Sequence, residues 1–138
     1  MRYKRQRHLT YKEAVRFHGH DGPFLALGYR LGIFLVKELK PEGIMGLRIT
    51  VKTKIKKPYT CVLDGLQCST FATCGKGNLM TKSHGKQDIL VSAKRTRKTV
   101  KYRMSPYAWD VCLHADDLHK AARKVLRAPI QKIWLRIR

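Results

Sequence analysis

Acidic residues are scarce in this chain: 9 Asp and Glu stand against 30 Lys and Arg in 138 residues, a formal net charge of +21. That shortage argues against surface ion-pair networks as the reason for the charge, because such networks need acids as well as bases. No Cys-x-x-Cys pair occurs. The four cysteines, Cys61, Cys68, Cys74 and Cys112, lack the spacing of a zinc ribbon, and with no mark of secretion they are expected to be reduced. Long apolar runs are missing too. The longest, Phe24 to Val36, is broken by Gly28, Arg30 and Gly32 and falls short of the roughly 20 residues that span a bilayer. The opening MRYKRQR is not followed by the apolar core, roughly 7 to 15 residues long, of a secretion signal. A cytoplasmic protein without membrane association is expected. A phosphate loop is absent as well, since Gly75, Lys76 and Gly77 are followed by Asn78 where GxxxxGK[ST] needs Ser or Thr.

What is present suits one compact domain over residues 1–138, beginning with a basic arm at 1–9, because 43% of the residues are hydrophobic and the length is typical of a single core. Thr10 and Glu13 make a capping box for a helix over 11–17. Asp21 or Gly22, followed by Pro23, starts a second helix that runs to Pro41 and is apolar nearly all round. Leu47 to Ile55 alternates apolar and polar residues, the period of a half-buried strand. Residues 61–69 read as a helix, 88–93 and 99–104 as a hairpin, the stretch with Ser105 and Pro106 as a loop, 115–127 as a helix and 130–138 as a strand. The order points to an α+β fold, helices packed on a mixed, mostly antiparallel sheet.

Such a positive field attracts polyanions and releases their counterions on binding. The basic residues gather at Arg2–Arg7, Lys52–Lys57, Lys94–Arg103 and Lys120–Arg138, within folded segments rather than a tail. RNA or a ribonucleoprotein such as the ribosome is the expected partner. Arg48, Lys52, Lys54, Lys56, Lys94, Arg95, Arg97, Lys98, Lys101, Arg103, Arg136 and Arg138 are the expected contacts. Tyr59, Tyr102, Tyr107 and Trp134 lie near them in sequence and are expected to stack on bases. No RNP box or KH loop is visible.

Two clusters could carry chemistry. In FHGHDGPFLALGYRLG, His18 and His20 would diverge on a regular helix, but Gly19 lets the backbone turn so that both face one point. In CVLDGLQCSTFATCGKGNL, Cys61, Asp64 and Cys68 share a helix face, and Lys76 sits between Gly75 and Gly77 in a loop whose amides could receive an anion.

In this order and separation the two segments resemble the FmdE family, whose name comes from formylmethanofuran dehydrogenase. That family reads His-Gly-His-x-Cys-Pro-Gly before Gly-Tyr-Arg-x-Gly, then Cys-x-x-Asp-Ala-Ile-Gln and Thr-Gly-Cys-Thr-x-Gly-Lys-Gly-Asn-Leu. Here the matching positions are His18, Gly19, His20, Pro23, Gly28, Tyr29, Arg30 and Gly32. In the second segment they are Cys61, Asp64, Gln67, Thr70, Thr73, Gly75, Lys76, Gly77, Asn78 and Leu79. The resemblance implies an α+β domain with helices on one side of a mixed sheet and a metal held by the histidine motif and cysteines. Two of the family's thiols are replaced, by Gly22 and Ala72, and the C-terminal zinc segment of some members is not expected here, so the resemblance leaves His18, His20, Cys61 and Asp64 as the implied ligands of zinc or another divalent transition metal.

Three functional expectations follow. One is a metal-binding accessory domain related to formylmethanofuran dehydrogenase. Another is a domain with a reduced metal site whose basic surface binds RNA. The third is an enzyme working through His18, His20 and Cys61, with Lys76 holding an anionic substrate and its catalytic residues unassigned. A homodimer is compatible with each.

Overall fold

The computed structural model describes residues 8–138, so the basic cluster Arg2–Arg7 and most of the expected arm lie outside the described residues. The arm's end is fastened: the Leu9 amide donates to the Cys68 carbonyl (3.1 Å) and the Leu9 carbonyl accepts from the Tyr29 hydroxyl (2.6 Å). Helix α1 (Tyr11–His18) begins with the capping box, Thr10 Oγ1 accepting from the Glu13 amide (3.1 Å) and the Glu13 carboxylate from the Thr10 amide (2.9 Å). It stops at Gly19, whose φ of +104° a residue with a Cβ would adopt only under strain.

Helix α2 (Pro23–Leu39) is the central element, buried along most of its length between α3 (Cys61–Thr70) and α5 (Leu118–Arg127). Small residues let α2 and α3 meet backbone to backbone. A Cβ on Gly28 would lie 2.0 Å from the Val62 carbonyl oxygen, and one on Gly65 would lie 2.3 Å from that of Leu25. On the other flank, the Arg30 guanidinium donates to the carbonyls of Val125 (2.8 Å) and Leu126 (2.7 Å) in the last turn of α5, satisfying acceptors that have no helical partner.

The sheet contains β1 (Arg48–Thr53), β2 (Leu79–Ser83), β3 (Leu90–Arg95), β4 (Lys98–Met104) and β5 (Trp134–Ile137), in the order β2-β1-β3-β4-β5. Only β1 and β2 run parallel, joined through α3, and the other pairs are antiparallel. The expected α+β class with a mixed, mostly antiparallel sheet is the one observed. One face, with Ile49, Val51, Val91, Val100, Tyr102, Met104 and Trp134, packs into the core with α2, while no helix among the described residues covers the other face. The Trp134 indole fixes this layer by donating to the Leu27 carbonyl (3.0 Å). No helix among the described residues is long and apolar enough to cross a membrane.

Three expectations are corrected. Residues 106–113, which Ser105 and Pro106 mark as loop in the sequence, form α4 (Pro106–Leu113), with Ser105 Oγ accepting from the Ala108 amide (3.1 Å) and Pro106 in the first turn. The helix expected over 115–127 therefore starts only at Leu118, capped by Asp117. In the last segment a helical turn, α6 (Ile130–Ile133), precedes β5 instead of a continuous strand.

The four cysteines are free thiols, and the core holds three of them in the neutral form. Burial pushes the Cys68 thiol up to about 11 and that of Cys112 up to about 12, while Cys61 is raised first by burial and then by the charge of Asp64. In the unfolded chain these groups lose their protons near pH 8.5. The unfolded state then binds fewer protons than the folded one, so stability falls as pH rises through that range. The melting temperature at pH 9.5 is expected to lie several degrees below that at pH 8, before lysine discharge near pH 10.4 relieves the positive repulsion. Thermal unfolding followed by circular dichroism checks this, and an unchanged midpoint contradicts it.

Candidate metal centre

The last turn of α1, the turn 19–22 and the first turn of α3 converge on one point. Glycine at 19 reverses the chain, so that His18 and His20 face each other instead of diverging. Asp21 holds that turn from two sides, accepting from the Tyr11 hydroxyl (2.5 Å) and pairing with His119 Nδ1 (2.6 Å). Tyr11 is in turn stacked on Tyr29, with ring centroids 5.4 Å apart, so the turn is tied to α2.

His18 Nε2 and His20 Nε2 are 3.1 Å apart. Both opposite ring nitrogens are engaged: His18 Nδ1 lies 2.6 Å from Asp64 Oδ2 and His20 Nδ1 lies 3.0 Å from the Asp21 carbonyl oxygen. A carboxylate and a carbonyl only accept, so each Nδ1 carries the hydrogen. With both rings neutral, each Nε2 then presents a lone pair, and two lone pairs at this separation repel unless a metal ion or a shared proton lies between them. Nitrogens bound to one tetrahedral zinc ion at about 2.05 Å would be about 3.3 Å apart. Cys61 supplies a third donor, its Sγ and one ring nitrogen of each histidine all lying within 4.8 Å of one another. The donor set therefore fits a borderline-soft divalent metal.

Asp64, counted among the ligands that the resemblance implies, meets the far nitrogen of His18 and lies outside the cluster of His18, His20 and Cys61. Its other oxygen accepts from Gln67 Nε2 (3.1 Å), and Gln67 Oε1 accepts from the Cys74 amide (2.9 Å). A relay thus runs from the 71–78 loop to His18. Lys76 turns into that loop and donates to the Phe71 carbonyl and to Thr73 Oγ1 (3.0 Å), so the ammonium that the sequence suggested for an anion, between Gly75 and Gly77, holds the loop together. Cys68 and Ala72 are buried and Cys74 is exposed, none of them in the donor cluster. At Gly22 a Cβ would rest 3.5 Å from His20 Cε1, an ordinary contact. A cavity of about 70 Å³ opens there, with His20, Gly22, Cys61 and Cys112 in its wall.

The cations expected to contact nucleic acid separate into groups. Arg48, Lys52, Lys94, Lys101 and Arg103 stand on the solvent face of the sheet, as does Lys82, which sequence reasoning missed because β2 shows almost no alternation. Arg95 donates instead to the Leu39 carbonyl at the end of α2 (2.8 Å), and Arg136 pairs with Glu38. Lys54 and Lys56 lie over the Tyr59 ring at 5.8 and 5.9 Å; Arg97 lies in the β3–β4 turn, Lys98 opens β4, and Arg138 follows β5. The stacking role expected of the aromatics is not available to two of them. Tyr102 and Trp134 are buried on the helix side, while Tyr59 packs against Phe24 and Trp109 and Tyr107 lies under Lys132.

A family model described as FmdE, molybdenum formylmethanofuran dehydrogenase operon, matches residues 17–134. Among curated proteins, a probable S-adenosyl-L-methionine-binding protein of Archaeoglobus fulgidus is 30% identical over 92 residues. The match takes in 64% of this chain and 24% of that protein, so the chain spans about a quarter of its relative's length.

Proposed function

The chain belongs to the FmdE family, and from that premise we propose that it is a metal-binding domain holding one divalent transition ion, zinc by preference, through His18 Nε2, His20 Nε2 and Cys61 Sγ. The observation that carries this is the pair of facing Nε2 atoms, 3.1 Å apart with both Nδ1 hydrogens directed away. A carboxylate behind a ligand histidine fixes its tautomer and raises its basicity, which is the part given to Asp64; the Asp21 carbonyl does the same for His20. Three protein donors leave a fourth position open, and the ion when bound supplies Lewis acidity there. The adjoining 70 Å³ cavity admits only a small ligand. Cys61 has to release its proton on loading, against burial and the neighbouring Asp64 charge, with Lys57 favouring release. On this reading the replacement of the family's thiols by Gly22 and Ala72 reduces the site to three donors without abolishing it, and suits an accessory role in formylmethanofuran dehydrogenase chemistry.

The test is metal content. Protein stripped by chelator and titrated with Co²⁺ is expected to take up one ion per chain with thiolate-to-cobalt absorption, and Zn²⁺ is expected to displace it. Uptake well below one ion per folded chain would reject the site.

A second reading, binding of RNA or a ribonucleoprotein, is supported by a different observation. Arg48, Lys52, Lys94, Lys101 and Arg103, from β1, β3 and β4, gather on the sheet face that no helix covers among the described residues.

A further inference from the structure

We infer that the uncovered face of the sheet docks on the phosphate backbone of double-helical RNA; this rests on the second reading above and is independent of the metal site. Directly paired residues of neighbouring strands share a face, so the register places the cations in rows. Lys82 is opposite Lys52, Arg48 is opposite Lys94, and Lys101 follows Ser92 across the next pair. The five strand segments contain no Asp or Glu. Near the face, the acid that forms an ion pair is Asp88, 2.9 Å from Arg103, and the other five cations have no ion-pair partner among the described residues.

Like charges directly opposite one another destabilise a strand pair. Lys52 against Lys82 and Arg48 against Lys94 therefore cost stability that a polyanion would restore. A shallow groove of about 320 Å³ runs between these rows, floored by Thr50, Ser92 and Leu90. A second copy of the chain is a poor occupant, since it would set one positive face against another.

The form of the nucleic acid follows from what the face carries. No aromatic side chain of the strands points to it, because Tyr102 and Trp134 face the core. Without a stacking platform, unpaired bases gain little there, whereas phosphates need only cations and small polar side chains. Five strands at about 4.8 Å span about 19 Å, a low and broad surface. It has no protruding helix to enter a B-form major groove, but it suits the wide, shallow minor groove of an A-form duplex and the phosphates that border it.

The experiment measures binding of a fluorescent RNA duplex, a single strand of equal length and polyglutamate by anisotropy at several salt concentrations. The full chain is compared with Lys52→Glu/Lys101→Glu and with Lys12→Glu/Lys124→Glu, a pair on exposed helix surfaces with the same charge change. Duplex RNA is expected to bind most tightly, with log affinity falling by about 5 per decade of salt if about six phosphates are neutralised. The sheet-face pair is expected to lose at least tenfold in affinity and about 2 in that slope, the helix pair less than threefold. Equal loss in both variants would remove the face while leaving RNA binding in place. Preference for the single strand would overturn the duplex assignment. Polyglutamate bound as well as RNA would end the RNA reading itself.

Discussion

Gly28→Ala is expected to destabilise the protein by about 3 kcal/mol or more, among the larger effects open to a single methyl group. The new Cβ would fall 2.0 Å from the Val62 carbonyl oxygen and 2.9 Å from its carbon, both backbone atoms of the facing helix. A flexible side chain could swing aside; the α3 backbone cannot, so α2 and α3 must part. Gly65→Ala meets the same obstacle from the other side, at Leu25 O (2.3 Å) and Tyr29 N (2.5 Å). Gly75→Ala is the control, with nothing within 4 Å of its Cβ, and is expected to stay within about 0.5 kcal/mol of the parent. For a chain of this size the Gly28 variant should melt roughly 10 °C lower. A midpoint within about 2 °C of the parent would mean that the close helix crossing is wrong. Metal affinity should fall with it, because the helix that opens after the His20 turn and the helix that carries Cys61 are the two being forced apart.

That seam also shows how far the fold is legible in the sequence. The glycines of α2 and α3 are visible there, and α1, α2, β1, α3 and the β3–β4 hairpin can be placed within a few residues, because each has strong local signals: a capping box, a prolyl start, strict alternation. What escapes depends on partners distant in sequence. Strand β2 is short, lies at the sheet edge and exposes most of its side chains, so no periodicity marks it; it exists because β1 offers it a parallel partner. Helix α4 carries a readable signal, Ser105 followed by Pro106, which is the same prolyl start that identifies α2 but equally suits a turn. Charge points to a polyanion but not to where it would lie. Arg95 and Arg136 look identical in sequence to Lys94 and Lys101, yet the two-residue period turns them toward the helices, where one caps α2 and the other meets Glu38.

At the candidate metal centre the histidines and Cys61 are legible, and the part of Asp64 is not, since spacing shows which residues share a face but not which nitrogen a carboxylate meets. The distinction has measurable consequences. His18→Ala, His20→Ala and Cys61→Ala each remove one of three donors and are expected to abolish stoichiometric retention after dialysis. Asp64→Asn leaves the donors in place and is expected to weaken binding by about 10- to 100-fold. Asparagine cannot repeat the aspartate's work: with its oxygen toward His18 Nδ1, its amide nitrogen faces Gln67 Nε2, donor against donor, and the relay to the Cys74 amide breaks. Cys74→Ala, outside the cluster, is expected to keep full affinity. Competition titration of Zn²⁺ against a chromophoric chelator separates these classes. If Cys74→Ala lost metal while Cys61→Ala kept it, the ion would lie in the 71–78 loop rather than between the two histidines; if Asp64→Asn abolished retention as completely as His20→Ala, the carboxylate would itself be a ligand.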